Sequence, residues 1–294
     1  MDVQDVRIVA ADDVILAGDL WMPRGQESAP PYAAIVLVGG TGAQDRNGGR
    51  SDLPGYEPFT QIAERATEEG VAVLRLDDRG VGESGGAFAG TTTSRAASDV
   101  LAAVQWLRRR AEIDSTRVGI VGHSEGGLIA LVAAASDTGI RSLVLLATAA
   151  RTGREVSRWQ RRFVALRDSS LYPPGSHEQL LRDAELAAEH QAQIDPWLHE
   201  WFSLDPLTFA SRIRGRVLVI HGESDRQVPV EQASELASVL GHSDVSVVVK
   251  RFPRVDHLLL EDADGDPQGY TLLASRRIPR VILETIAMWV SQRS

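Results

Sequence analysis

One segment of the chain has residue types and spacing suited to covalent chemistry. It is Gly122-His123-Ser124-Glu125-Gly126, set between the apolar run Val118 to Val121 and the Ala/Leu-rich stretch that follows Gly127. A serine in a G-x-S-x-G between a strand and a helix sits on a sharp, strained turn that exposes its Oγ. Glycines flank it because strand and helix approach too closely there for side chains. The helix that begins at the turn supplies unpaired N–H groups and a dipole that favours a developing oxyanion. The pattern therefore predicts nucleophilic attack by Ser124 on a carbonyl carbon. The pentapeptide by itself is a weak signal; its flanking elements are what outweigh an ordinary serine at a glycine-rich junction.

A serine needs a base, and the base needs an acid to orient it, in the chain order Ser, Asp or Glu, His. The run Val217 to Ile220 is followed by His221-Gly222-Glu223-Ser224-Asp225, and the run Val245 to Val249 by a loop ending Val255-Asp256-His257. Asp225 and His257 thus follow late strands, at the same sheet edge as Ser124. Of the seven histidines, only three lie close behind a strand. His221 is expected to pack at its strand end and His123 to support the turn, which leaves His257 as base. Asp256 competes with Asp225, but adjacent residues rarely orient each other's side chains. Asp225 is the expected acid.

A tetrahedral oxyanion needs two donors. The Glu125 N–H is one by position. The loop Gly39-Gly40-Thr41-Gly42-Ala43-Gln44-Asp45-Arg46 offers the other, with the Thr41 N–H as first choice.

The surrounding pattern must position these groups. Val6 to Ala10 and Val14 to Trp21 read as an antiparallel hairpin. A buried strand Ala33 to Val38 follows, and then strands (Val71 to Leu76, Val118 to Val121, Ser142 to Leu146) alternate with helices (Phe59 to Glu69, Ala96 to Arg110, Gly126 to Ala135). Such alternation implies a mostly parallel, doubly wound α/β sheet, with ligands beyond the carboxyl ends of its strands. Between about Arg151 and Arg212 no strand-like run occurs. The sheet then resumes with Val217 to Ile220, a helix near Val230 to Leu240, strand Val245 to Val249 and a last helix from Arg280 to Val290. The expected organisation is a core of residues 1–150 and 212–294, carrying a helical insertion over 151–211.

On these residues the chain resembles the α/β-hydrolase superfamily. It looks most like a bacterial serine esterase or serine aminopeptidase-like branch. That branch combines a G-S-G-x-x-D-R-type loop (Gly40 to Arg46), a D-D-R-G-x-G-x-S segment (Asp77 to Ser84) and a G-H-S-E-G-G turn (Gly122 to Gly127). The likeness runs from the hairpin to the last helix and is weakest in the insertion. It implies the α/β-hydrolase fold, supports Ser124, Asp225 and His257 as a triad, and makes the insertion a cap after the sixth strand. Members are carboxylesterases or serine aminopeptidases. Thr41 stands where the pattern commonly has Ser, a change that leaves a backbone donor intact and narrows the acyl pocket.

Composition removes other classes. With 40 acidic against 31 basic residues the net charge is −9, so nucleic acid is not an expected partner. Lys250 is the only lysine, which excludes a G-x-x-x-x-G-K-[ST] phosphate loop. The absence of cysteine excludes a thiolate nucleophile, a thiolate metal site and disulfides. The acidic opening Met1 to Asp5 and the short apolar stretches, the longest Leu128 to Ala135, lead to the expectation of a cytoplasmic chain with no membrane span.

Several patterns have plainer readings. Gly80-Val81-Gly82-Glu83-Ser84-Gly85 matches G-x-G-x-x-G, but loop residues follow it where a nucleotide site needs a helix. Asp78 and Arg79 are expected to pair and brace that loop. Arg151, Arg154, Arg158, Arg161 and Arg162 recur at helical spacing and are expected on a solvated face, paired with acids such as Glu155. The aromatics Trp159, Phe163, Tyr172, Trp197, Trp201 and Phe202 suit an acyl pocket or packing of the insertion equally well. His177, His190 and His199 lack metal-ligand spacing, and Asp264-Gly265-Asp266 lacks a full calcium loop. Neither metal nor cofactor is expected.

The reading is a serine hydrolase acting on small carboxylic esters through an acyl-enzyme. The alternatives are an aminopeptidase or amidase, which would need a carboxylate such as Glu155 or Glu200 to hold the substrate amine, and a non-catalytic binding protein on the same fold.

Overall fold

The computed structural model describes residues 2–23, 30–168, 173, 175–241 and 245–292. Strand β1 (Asp2–Val9) forms an antiparallel hairpin with β2 (Ile15–Met22), turning through Asp13 at φ 63°. β1 starts four residues earlier than its apolar pattern predicts. It is an edge strand, and only Val6 and Ile8 of it are buried.

After β3 (Tyr32–Val38) the chain winds through α1 (Pro58–Glu68), β4 (Val71–Leu76), α2 (Thr93–Arg108), β5 (Ile113–His123), α3 (Glu125–Ser136) and β6 (Ser142–Leu146). β7 (Gly215–Gly222), α8 (Gln232–Leu240), β8 (Val245–Phe252), a 3₁₀ turn (Pro267–Leu272) and α9 (Arg280–Ser291) complete the sheet. The strand order is β1-β2-β4-β3-β5-β6-β7-β8, with β1 and β2 antiparallel to their neighbours and the remaining strands parallel. This is the α/β-hydrolase fold.

Alternating residues of the strands feed two separate cores. Ala34, Val36 and Val38 of β3 face α2 and α3, where Val104, Leu107 and Leu131 are buried. Ala33, Ile35 and Leu37 face α1 and α9, packing with Phe59, Ile62, Ile282 and Ile286. Burying each of the larger of these side chains is worth about 1.5–3 kcal/mol, which pins the register, because a one-residue slip would exchange the two faces. α3 is apolar all round, since it packs on the sheet, on α2 and on the short helix that precedes β7.

Between β6 and β7, where the sequence predicts an insertion, lie α4 (Gly153–Arg167), α5 (His177–Ala192), α6 (Pro196–Ser203) and α7 (Pro206–Ala210). Thr152 and Glu155 form a reciprocal capping box at the start of α4, and Asp195 caps α6. α4, α5 and α6 pack on one another, and α6 also reaches α2. α7 instead lies against α3 and α8, with Ala210 fully within the core. Tyr172 falls outside the described residues.

Two expected pairings are corrected. Arg79 pairs with Asp99 and Asp12, across α2 and the hairpin turn, and not with Asp78. Asp78 turns the other way and accepts the Gln44 N–H at 2.9 Å. Two of the expected arginines on α4 pair with acids, Arg154 with Glu189 and Arg158 with Glu185, whereas Arg161 donates to Ser157 Oγ, and Glu155 is occupied by its capping box.

Candidate active site

The turn between β5 and α3 carries Ser124 at φ 56° and ψ −119°, a conformation that L residues rarely adopt. Its geometry depends on glycine. A Cβ on Gly122 would run into the Gly126 carbonyl, and one on Gly126 into the Val38 and Gly39 carbonyls. The Ser124 N–H donates to the Leu146 carbonyl at 2.8 Å, tying the turn to the end of β6 and leaving the side chain to project outward.

The loops after β7 and β8 bring two further groups to that side chain. His257 Nε2 lies 3.0 Å from Ser124 Oγ. The opposite ring nitrogen, Nδ1, lies 2.8 Å from Asp225 Oδ2. With a carboxylate on Nδ1, the neutral imidazole carries its proton there and presents a lone pair to the serine hydroxyl. Asp225 Oδ1 accepts the Gln227 and Val228 N–H groups, each at 2.8 Å, so its own loop fixes the carboxylate.

Burial alone would raise the Asp225 carboxyl. The His257 charge, with hydrogen bonds from His221 and His257, outweighs it and holds the group well below the ordinary carboxylate range. Asp225 is therefore an anion across the working pH range.

Asp256 takes no part in this arrangement. It is fully buried, its Oδ1 accepts the Leu260 N–H at 2.8 Å and its Oδ2 has no partner. Burial pushes its carboxyl up to about 7. His123 does support the turn: its Nε2 donates to the His257 carbonyl at 2.8 Å. Burial, with the neighbouring His257, lowers its ring to about 4, so it stays neutral.

The residues considered for the oxyanion lie together. Gly40 is so close to the turn that a Cβ there would meet the Ser124 Cβ at 3.1 Å. Thr41 follows it. Glu125 opens α3, where the N–H groups have no acceptor within the helix. The loop is held from behind by the second motif segment: Arg46 pairs with Asp77 at 2.7 Å, and the Arg46 N–H also donates to Asp77. Thus Gly40 to Arg46 and Asp77 to Ser84 form one unit. The glycines of the second segment belong to a turn in which Ser84 bridges Asp77 and Ala17, and α2 starts only at Thr93.

A cavity of about 310 Å³ opens over Ser124 and His257. Leu128, Val156, Trp197 and Trp201 give it apolar wall, and the two indoles stack with centroids 5.3 Å apart. Trp159 bonds the Arg226 carbonyl instead and is 40% exposed. Arg50 and Arg151 also line the cavity, whereas Glu125 is the only acidic residue among the described residues that do. Glu155 and Glu200 are occupied elsewhere: Glu155 in its capping box, Glu200 accepting the Ser94 N–H at the start of α2.

Two features escaped the sequence. His221 Nε2 contacts Asp225 Oδ2 as well as the Val228 carbonyl, and the Glu125 side chain accepts bonds from Thr41, Thr93 and Trp197. The i,i+4 spacing of His221 and Asp225 could have signalled the first; the partners of Glu125 are too distant in sequence to have done so.

The sequence model of the family described as serine aminopeptidase, S33, matches residues 56–208. That of the prolyl oligopeptidase family matches residues 177–273. An uncharacterized peptidase of Bacillus subtilis, YuxL, is 26% identical over 294 residues, which is 98% of this chain but 39% of that protein. An Escherichia coli protein of the traX-finO intergenic region is 33% identical over 83 residues, 28% of this chain and 29% of that one. The chain thus spans well under half the length of both relatives. Among solved structures, an esterase from Pyrococcus furiosus superposes with TM-score 0.59 and 21% identity, over 86% of this chain and 82% of that one. The α/β-hydrolase GrgF from Penicillium superposes with TM-score 0.63 and 19% identity, over 99% and 100%.

Proposed function

From the chain's membership of the S33 serine aminopeptidase family of α/β-hydrolases, we propose that it cleaves carboxylic esters of small molecules through an acyl-enzyme on Ser124. His257 takes the Ser124 proton as Oγ attacks the carbonyl carbon. Asp225 keeps the imidazole in the reactive tautomer and stabilises the imidazolium. The Thr41 and Glu125 N–H groups receive the oxyanion, each worth about 3 kcal/mol of barrier. His257 then protonates the departing alkoxide, and water activated by the same ring releases the acid. In this reading α4 to α6 form a cap over the cavity.

The observation that carries the proposal is the unbroken chain of contacts from Ser124 Oγ through His257 to Asp225, at 3.0 and 2.8 Å. The charge of the cavity supports an ester over an aminoacyl substrate. An ammonium group needs a free carboxylate; Glu125 is already engaged by three donors, and Arg50 and Arg151 of the lining each occupy a neighbouring acid, Asp52 and Glu235. The second reading, an aminopeptidase or amidase, is favoured by the family's own description and by the peptidase YuxL.

One experiment separates them. A fluorophosphonate probe is offered to wild type and Ser124→Ala, followed by p-nitrophenyl esters and aminoacyl anilides. Labelling lost in the mutant, with esters turned over far faster than anilides, is the expected result. Preference for anilides moves the peptidase reading forward. A folded wild type that takes no label points to a binding protein on the hydrolase fold.

A further inference from the structure

A strand-to-helix turn of this type needs the Glu125 N–H, but nothing in that role calls for a carboxylate. Here the residue is 9% exposed, and its carboxylate gathers donors from three separate elements. Oε1 accepts Thr93 Oγ1 at 2.8 Å and Trp197 Nε1 at 2.7 Å; Oε2 accepts Thr41 Oγ1 at 2.9 Å. Thr93 begins α2, Trp197 lies on α6 over the cavity, and Thr41 belongs to the loop behind the oxyanion position. A second bond joins the same two helices, from the Ser94 N–H to Glu200 Oε2 at 2.9 Å.

We infer that Glu125 is a positioning residue whose carboxylate makes the seating of α6 over the cavity and the alignment of the Thr41 N–H one event. The inference rests on the ester-hydrolase reading and deepens it. The two proposed oxyanion donors belong to Thr41 and Glu125, and the side chain of one holds the side chain of the other. Their separation is thereby set by a hydrogen bond and not by a flexible glycine loop alone. Trp197 sets the carboxylate in turn. If α6 lifts, the indole N–H leaves a buried carboxylate short of a donor, and the remaining bonds reorganise with it. Substrate that fills the cavity against the Trp197–Trp201 stack keeps α6 down and so keeps the two donors aligned.

The test compares Glu125→Leu, Glu125→Gln and Trp197→Phe with wild type, reading kcat and KM on p-nitrophenyl acetate, the rate of fluorophosphonate labelling, and melting temperature. Gln can keep both bonds on Oε1, and its amide can donate to Thr41 Oγ1, so it should rescue. Glu125→Leu and Trp197→Phe should lower kcat by about ten- to hundredfold and slow labelling in step, with KM within about twofold and Gln within about threefold of wild type. Wild-type kcat in a folded Glu125→Leu or Trp197→Phe, or a loss confined to KM or melting temperature, overturns the inference. Should Glu125→Leu not fold, Trp197→Phe decides, because it keeps an aromatic side chain beside Trp201 while removing the indole N–H that Glu125 accepts. A wild type that neither labels nor hydrolyses esters fails at the earlier step and takes the inference with it.

Discussion

His221 Nε2 lies 3.1 Å from Asp225 Oδ2, the same carboxylate oxygen that His257 Nδ1 meets at 2.8 Å. Both histidines are buried, and His221 Nε2 also faces the Val228 carbonyl at 2.9 Å, so that nitrogen carries the proton and donates. One oxygen of Asp225 thus meets the His257 ring while being oriented by a residue four positions upstream. His221→Phe keeps the packing and removes the donor. It should lower kcat on a soluble ester by about tenfold with little change in KM, the size expected for a hydrogen bond to a charged group. Steady-state kinetics at fixed pH checks it, and an unchanged kcat would assign His221 to packing alone.

The same geometry sets the two larger effects. Ser124→Ala should abolish turnover by at least about 10⁴-fold, and Asp225→Asn should cost about as much by presenting the wrong tautomer of His257 to the serine. Melting temperature should hardly move in Ser124→Ala, because alanine meets the same strain at positive φ.

Asp256 offers a pH test independent of activity. Its folded carboxyl titrates near 7, above the ordinary value, because burial disfavours the anion. A raised acid holds its proton more tightly when folded. Its contribution is therefore full below about pH 4 and is lost as pH rises towards 7. Asp256→Asn should melt like wild type near pH 4 and above it at pH 8, with the gap opening between. A gap that does not vary with pH would show that Asp256 does not titrate in this way.

Asp19 and Arg75 pair at 2.7 Å inside the sheet, with Arg75 also held by Asn47 and Thr60 and lying over the Trp21 ring. Both are nearly fully buried. Asp19→Ala leaves a guanidinium without its anion and should cost about 3–5 kcal/mol in urea unfolding. A loss below about 1 kcal/mol would mean that the bonds to Asn47 and Thr60 suffice.

Gly122→Ala tests the turn itself. Its Cβ would overlap the Gly126 carbonyl, so strand or helix must move. The variant should lose about 1–3 kcal/mol or more and take fluorophosphonate label poorly even where it folds. Full labelling would show that the turn tolerates that displacement.

What the sequence determined by itself is local and periodic. The unbroken apolar runs of β3 to β7 dictate a sheet buried on both faces, and the glycines around Ser124 dictate the strained turn, because these follow from neighbours a few positions apart. Asp225 and His257 were legible too, since strand-end loops of a parallel sheet collect at one edge. The tertiary structure alone decided which side chains meet across the fold. Arg79 bonds Asp12 and Asp99 where its neighbour Asp78 was the obvious partner, because adjacent residues at a strand end point to different sides. Glu125 finds Thr41, Thr93 and Trp197 from 32 to 84 residues away, contacts that exist only once α2 and α6 have packed around the turn. The position of a group on its element is encoded next to it. Its hydrogen-bond partner is set by whichever donor the packed core brings within 3 Å, and no local pattern carries that information.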